Sequence, residues 1–178
     1  ELEAIDAAGG QRAWRFNQAC LRRLGDIDRS DLARVLQVDF PLLKHELEYD
    51  SWRIQVFQDW AWNPLVYTGK AGSAVYGLMA REFAPVATRL VRVSERLEKL
   101  PSFLYQVREV LVPRRVPRVH AETAIKQNRG VLSIIDGMVI PQWHILSATQ
   151  RARLEAAITG TRKAVEEHGR WLEETLLP

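Results

Sequence analysis

The sequence is short of several things, and each shortage narrows what the protein can be. It has one cysteine, Cys20, so no disulfide can close within the chain. Cys20 lies among apolar and small residues in a helical pattern and reads as a small buried hydrophobe. No apolar run approaches the ~20 residues that a membrane-spanning helix needs. The best stretch, Val131 to Ile140, is broken by Asp136 and Gly137, so no membrane span is expected. Eight prolines and ten glycines in 178 residues are too few for a linker or a low-complexity chain. The net charge is only +3, and without clustering on one face it gives no reason to expect a nucleic-acid partner. No period-two alternation is long enough to force a sheet. Glu1 opens neither a signal peptide nor a chain with its initiating methionine, so a piece of a longer protein is expected. Cytoplasm and periplasm both remain open as its compartment.

What is present is helical periodicity around one break. In Trp60-Ala61-Trp62-Asn63-Pro64-Leu65-Val66-Tyr67, Asn63 can accept a hydrogen bond from a free helix N-terminal amide, and Pro64 suits the first helical position. Trp60 and Trp62 just before the break and Tyr67 just after it predict a packed elbow between helices. Upstream, Ala13, Trp14, Phe16, Cys20, Leu21 and Leu24 share a broad apolar side of a helix that Gly25 ends. Ser30 is expected to cap the next helix at Asp31, and Pro41 to kink or break it near Phe40. Its continuation carries one stripe at Leu43, Leu47, Ile54 and Phe57 and another at Leu42, Tyr49, Trp52 and Val56. So wide an apolar face predicts cover on more than one side.

Downstream, the small residues from Gly69 to Gly77 predict close helix packing. Pro85 opens a helix with Val86, Leu90, Val93 and Leu97 inward and Arg89, Arg92 and Arg96 largely away from them. Pro101 is expected to end it and open another. Pro113 to Arg118 is a stiff basic linker in which Arg114 and Arg115 could meet an acidic group, or simply face water. The polar residues Thr123, Gln127, Asn128 and Arg129 recur at turn spacing on the next helix, where they line a cleft or face solvent. Ser147 and Gln150 match a capping box. The last helix places Leu154, Ile158, Thr161, Val165, His168, Leu172 and Leu176 on one stripe, with His168 read as a satisfied histidine of that seam.

Three fragments of chemical motifs fall short. His45-Glu46 opens like a zincin helix, but the second histidine is replaced by Tyr49. Asp26-Ile27-Asp28 starts like a calcium loop without the downstream glycine and glutamate. The Gly-Lys-Ala-Gly-Ser run at 69–73 has the wrong order for a phosphate loop. No catalytic, cofactor-binding or metal residue is therefore assigned in this chain. The reading is an all-α single domain, residues 1–178, of about seven or eight helices in an irregular array.

The order Trp60 to Tyr67, then Arg81-Glu-Phe-Ala-Pro85, then Arg96-Leu-Glu-Lys-Leu-Pro101, Thr123 to Gly130 and Gly169-Arg-Trp-Leu172 resembles the bacterial domain-of-unknown-function family 885. The likeness covers nearly the whole chain. It implies a relationship to gluzincin zinc peptidases, in which a His-Glu motif, a following Pro-Gly-His and a downstream glutamate hold zinc and activate water. Those motifs lie C-terminal to the region matched, and none carries over onto this chain. The resemblance implies a non-catalytic helical portion, the wall or lid of a substrate channel, of a peptidase-like protein. Zinc would then belong to the parent protein. The implied partners are the remaining C-terminal domain and a peptide substrate, with Trp60, Trp62, Tyr67, Arg114 and Arg115 as candidate substrate or interdomain contacts. The alternative is a stand-alone helical scaffold for protein interaction or self-association as a homodimer.

Overall fold

The computed structural model describes residues 7–177. They fall into two compact units, 7–60 and 61–177. The fold is all-α, with seven α-helices and no strand among the described residues.

The first unit is a helical hairpin. Helix α1, Ala7–Gly25, ends at the expected glycine with Arg22 and Arg23 in its last turn, where positive charge suits the free carbonyls. Its inward side differs from the expected one: Phe16 is exposed, Cys20 is half-buried, and Asn17 joins Leu24 inside. The cap chemistry also moves. Asp28 accepts from the Ser30 amide at 2.9 Å and from its hydroxyl at 2.7 Å, which starts a 3-10 turn at Arg29–Asp31. Helix α2 then begins only at Arg34 and runs to Trp52 without a break at Pro41. A proline inside a helix leaves the carbonyl four residues back without a donor. Here that carbonyl is Gln37's, and Arg29 Nε donates to it at 2.9 Å. After α2 the backbone loosens into a π-helical turn, Arg53–Phe57. It closes where Gln58 adopts a left-handed conformation, φ 52°, and its amide donates to Arg53 carbonyl at 2.8 Å.

The second unit carries the core. The short helix α3, Asp59–Trp62, precedes α4, Leu65–Met79. The start lies one residue later than expected: Pro64 is the N-cap, its carbonyl receiving the Thr68 amide, and Asn63 just before it accepts from the Leu65 amide through Oδ1 at 3.1 Å. Ala71, Ala74 and Val75 are buried, as close packing expects, whereas a Cβ at Gly72 would meet Ile134 at an ordinary 3.7 Å and one at Gly69 or Gly77 would meet nothing, so packing does not account for the glycines.

Helix α5, Val86–Val110, passes straight through Pro101. The orphaned carbonyl is Leu97's, and the hydroxyl of Thr161, far along the chain, donates to it at 3.1 Å. Leu90, Val93, Leu97, Leu100, Leu104 and Val107 make α5 the central element. Arg89, expected away from the core, is buried, because its guanidinium donates to the Leu78, Met79 and Ala84 carbonyls at 3.3, 3.0 and 3.0 Å. It thereby supplies donors to the last carbonyls of α4, which have no partner within the helix.

A 3-10 turn, Pro113–Arg115, leads to α6, Arg118–Ile134. A π-helical turn, Ile135–Val139, and a 3-10 segment, Ile140–Ile145, follow. Helix α7, Ala148–Leu176, closes the unit with its predicted stripe buried from Leu154 to Leu176. Each large apolar side chain so buried contributes about 1.5–3 kcal/mol. Glu98 and Arg153 join α5 to α7 by a two-pronged bridge of 2.6 and 2.7 Å, and that bond holds the Glu98 carboxyl below its usual range.

The Ser147–Gln150 capping box is complete, with both the side-chain and the reciprocal backbone bond formed. Ser147→Ala should cost about 1 kcal/mol, read as a lower urea midpoint at unchanged slope. A Ser147→Asp variant, which keeps an acceptor at the cap, should recover most of it.

Candidate functional site

The candidate contact residues are divided between the two units. Trp60 belongs to the first unit, where its indole N–H donates to the Ile54 carbonyl at 3.1 Å. Trp62 and Tyr67 belong to the second and face different neighbours. Trp62 is half-buried with its ring edge-on to His120 at 5.5 Å, and Tyr67 is buried edge-on to Phe103 at 6.3 Å. Tyr67 is thus a core residue of α4 and α5. Arg114 and Arg115 are exposed on the 3-10 turn after α5. The Val112 amide donates to the Ala61 carbonyl at 2.8 Å, which brings that basic turn to the same end of the unit as Trp62.

His168 stands out within the second unit. It is 1% exposed, stacks on Trp171 at 5.7 Å, and its Nδ1 has no hydrogen-bond partner. The expected satisfied histidine is therefore only half right: it lies in the seam, and one ring nitrogen goes unanswered. Burial, with the positive charge of Arg108 behind it, pulls its pKa down to about 4. Arg108 Nε and His120 Nδ1 are also buried without partners. Beside His168, Asn128 is buried and donates to the Val165 carbonyl at 2.8 Å, closing α6 onto α7. A side chain at position 169 would stand 3.1 Å from Asn128 Nδ2, which is why glycine sits there. Gln127 Oε1 accepts from the Thr68 hydroxyl at 2.9 Å, linking α6 to α4.

Of the four polar residues on α6, then, Asn128 is interior and Gln127 bridges to α4. Arg129 pairs with Glu173 at 3.6 Å, and the Thr123 hydroxyl donates to the Val119 carbonyl. Sequence spacing identified this set but could not say which member turned inward. At neutral pH His168 is an uncharged imidazole closed off from any substrate, so the group is a buried polar seam without access for chemistry.

A shallow cleft of about 370 Å³ lies over the start of α5, lined by Ala87, Thr88, Val91, Arg92, Glu95 and Gln150. Its two charged groups are already paired, Arg92 to Glu95 at 2.9 Å, and no nucleophile–base pair faces it. His45 and Glu46 are both exposed on α2, and Tyr49 follows where a zinc site would need its second histidine. Among the described residues no three His, Cys, Asp or Glu side chains group closely enough to hold a metal. No described helix is long and apolar enough to cross a membrane.

The family described as "Bacterial protein of unknown function (DUF885)" matches residues 1–178. The chain belongs to that family. No curated protein matches this DUF885 chain. A solved structure described as "The structure of a putative lipoprotein of unknown function from Shewanella oneidensis" is similar to it at 26% identity and a TM-score of 0.88. That likeness covers 99% of the DUF885 chain and 32% of the relative, so the chain spans about a third of the relative's length.

Proposed function

We propose that this chain is the helical, non-catalytic portion of a larger DUF885 protein of peptidase-like type, serving as a wall or lid beside a substrate channel. The observation that carries the reading is the near-complete overlay of the chain on a third of a longer relative. The residues available for docking a further domain are Trp62 and the Arg114–Arg115 turn, which share one end of the second unit, and Trp60 in the first. Large half-exposed rings and arginines are the side chains that interfaces favour. Zinc, if the parent protein uses it, is held by residues outside this chain, and peptide is the substrate class. The Shewanella relative is described as a lipoprotein, which supports a setting outside the cytoplasm.

The test is metal content and hydrolysis of a mixed peptide library, measured side by side on this chain and on the full native reading frame. Zinc and activity in the longer protein alone are the expected result. Hydrolysis by the 178-residue chain itself would overturn the non-catalytic assignment. A native frame that stops at residue 178, or a longer one silent in both assays, would favour a stand-alone helical scaffold instead.

A further inference from the structure

The first unit leaves most of its apolar surface uncovered. Among its described residues Leu24 is the one buried large apolar side chain, and most of the exposed large apolar side chains of the protein belong to this unit. Helix α1 meets α2 on the side of Ser51, whose hydroxyl accepts from Gln18 at 3.1 Å. Two apolar strips of α2 lie away from that contact. Val35, Val38, Leu42, Tyr49 and Trp52 form the wider strip, and Leu36 and Leu43 form the other. All seven are exposed, from 73% at Val35 to 45% at Trp52. At ~100° per residue the first strip spans an arc of about 100°, and the two together span about 200°. Both lie within the α-helical span Arg34–Trp52, before the π-helical turn. Asp39 and Glu46 run along the line between them. Rings of the first strip are already ordered, Tyr49 stacking on His45 at 6.5 Å and Trp52 on Tyr49 at 6.0 Å. Pre-arranged rings lose little freedom when a partner covers them.

The width of this face decides what kind of partner fits it. One neighbouring helix covers a stripe of roughly 100°, so two separate elements are needed here, and a helix that is apolar on most sides is one surrounded by neighbours. Two copies of α2 related by a two-fold axis would close one strip and leave the other open. The similar Shewanella structure indicates where further elements come from. The chain overlays 32% of that relative, so about two-thirds of a longer chain remains to pack against it. Uncovered apolar faces of this extent are rare on proteins that stand alone. We propose that α2 is an interior helix of the full-length protein, and that the part of the protein outside these 178 residues packs at least two elements on its two apolar strips. Asp39 and Glu46 between the strips require lysine or arginine on the covering surface, since an acid closed off without a partner is costly. This inference rests on the chain being part of a longer protein, as in the reading above, and not on peptidase chemistry. It adds α2 to the docking residues already named.

Hydroxyl-radical footprinting of the native full-length protein and of the 178-residue chain tests it, with oxidation of Leu42, Leu43, Tyr49 and Trp52 read by mass spectrometry. Rates are referenced to each protein unfolded in urea and taken at several concentrations, and helical circular dichroism checks that the shorter chain is folded. The expected result is fast oxidation in the 178-residue chain and several-fold slower oxidation in the full-length protein at every concentration. Equal rates in the two would overturn the proposal. So would slow oxidation in the dilute 178-residue chain, which would mean that the chain covers its own face. Protection that grows with concentration would overturn it in favour of a second copy. As a second measure, Leu43→Glu with Tyr49→Glu, one change in each strip, should lower the thermal midpoint of the full-length protein. In the 178-residue chain it should shift the midpoint by less than about 2 °C, since substitutions at exposed positions change stability little. A native frame that stops at residue 178 would sink this inference and the reading above together. Equal footprints with a full-length protein that holds zinc and cleaves peptides would sink this inference alone.

Discussion

Lowering the pH from 6.5 to 4 should cost the native protein roughly 3 kcal/mol through His168 alone, and His168→Leu should abolish that part of the loss. The imidazole is held neutral because burial strips the charged form of its solvation, and Arg108 adds repulsion. Its folded pKa is about 4 against 6.5 for the ordinary group. Between those values the unfolded chain takes up a proton that the folded chain refuses, so stability falls as pH falls. Above 6.5 both states are neutral and the residue adds no pH dependence; below about 4 the loss is complete. Urea unfolding of both proteins at several pH values gives the difference directly. Asp28 and Glu98, whose carboxyls are held below their ordinary range by Ser30 and by Arg153, are common to both proteins and cancel in the comparison. Parallel stability curves for the two proteins would show that His168 is not the group refusing the proton.

Thr161→Val should destabilise the protein by about 1–3 kcal/mol, and most of that cost should vanish when Pro101 is replaced by alanine. The two side chains have the same shape, so packing is conserved and only the hydroxyl is lost. In the native protein that hydroxyl is the donor to the Leu97 carbonyl, and Thr161 and Leu97 are both fully buried. Without it the carbonyl keeps the desolvation cost and loses its bond. In Pro101→Ala the amide of residue 101 can donate along the helix to the same carbonyl, so Thr161 becomes dispensable. A double-mutant cycle measures this coupling, expected to exceed about 1 kcal/mol. Equal costs for Thr161→Val in both backgrounds would mean the hydroxyl serves some other acceptor. The equivalent pair around Pro41, Arg29 to Gln37, is exposed, so Arg29→Ala should cost well under about 1 kcal/mol.

These two prolines also show where reading the sequence fell short. Pro41 and Pro101 were expected to break helices, since each removes a donor and crowds the preceding turn. Both helices continue because a side chain distant in sequence, Arg29 or Thr161, takes the place of the missing amide. The Ser147–Gln150 box and the buried stripe of α7 were both legible, because each depends on residues within a turn or on one helical period. Arg89 was misplaced for the opposite reason: a charge on a helix is assigned to solvent unless free carbonyls await it, and those of α4 are brought to it only by packing. The candidate contacts fared similarly. Sequence could mark Trp60, Trp62 and Tyr67 as packing residues, but not that Tyr67 would meet Phe103 and Trp62 would meet His120.

The all-α class, the Pro85 and Ser147 helix starts and the apolar periods were legible from the residues alone, since those follow from local sterics, capping and spacing along one chain. Tertiary structure alone decided which polar groups go inside. Asn128 and His168 are buried while Arg129 stays at the surface, and it is the meeting of α5, α6 and α7 that decides between them. A period states which residues share a face; whether that face is filled depends on neighbours that the period does not contain.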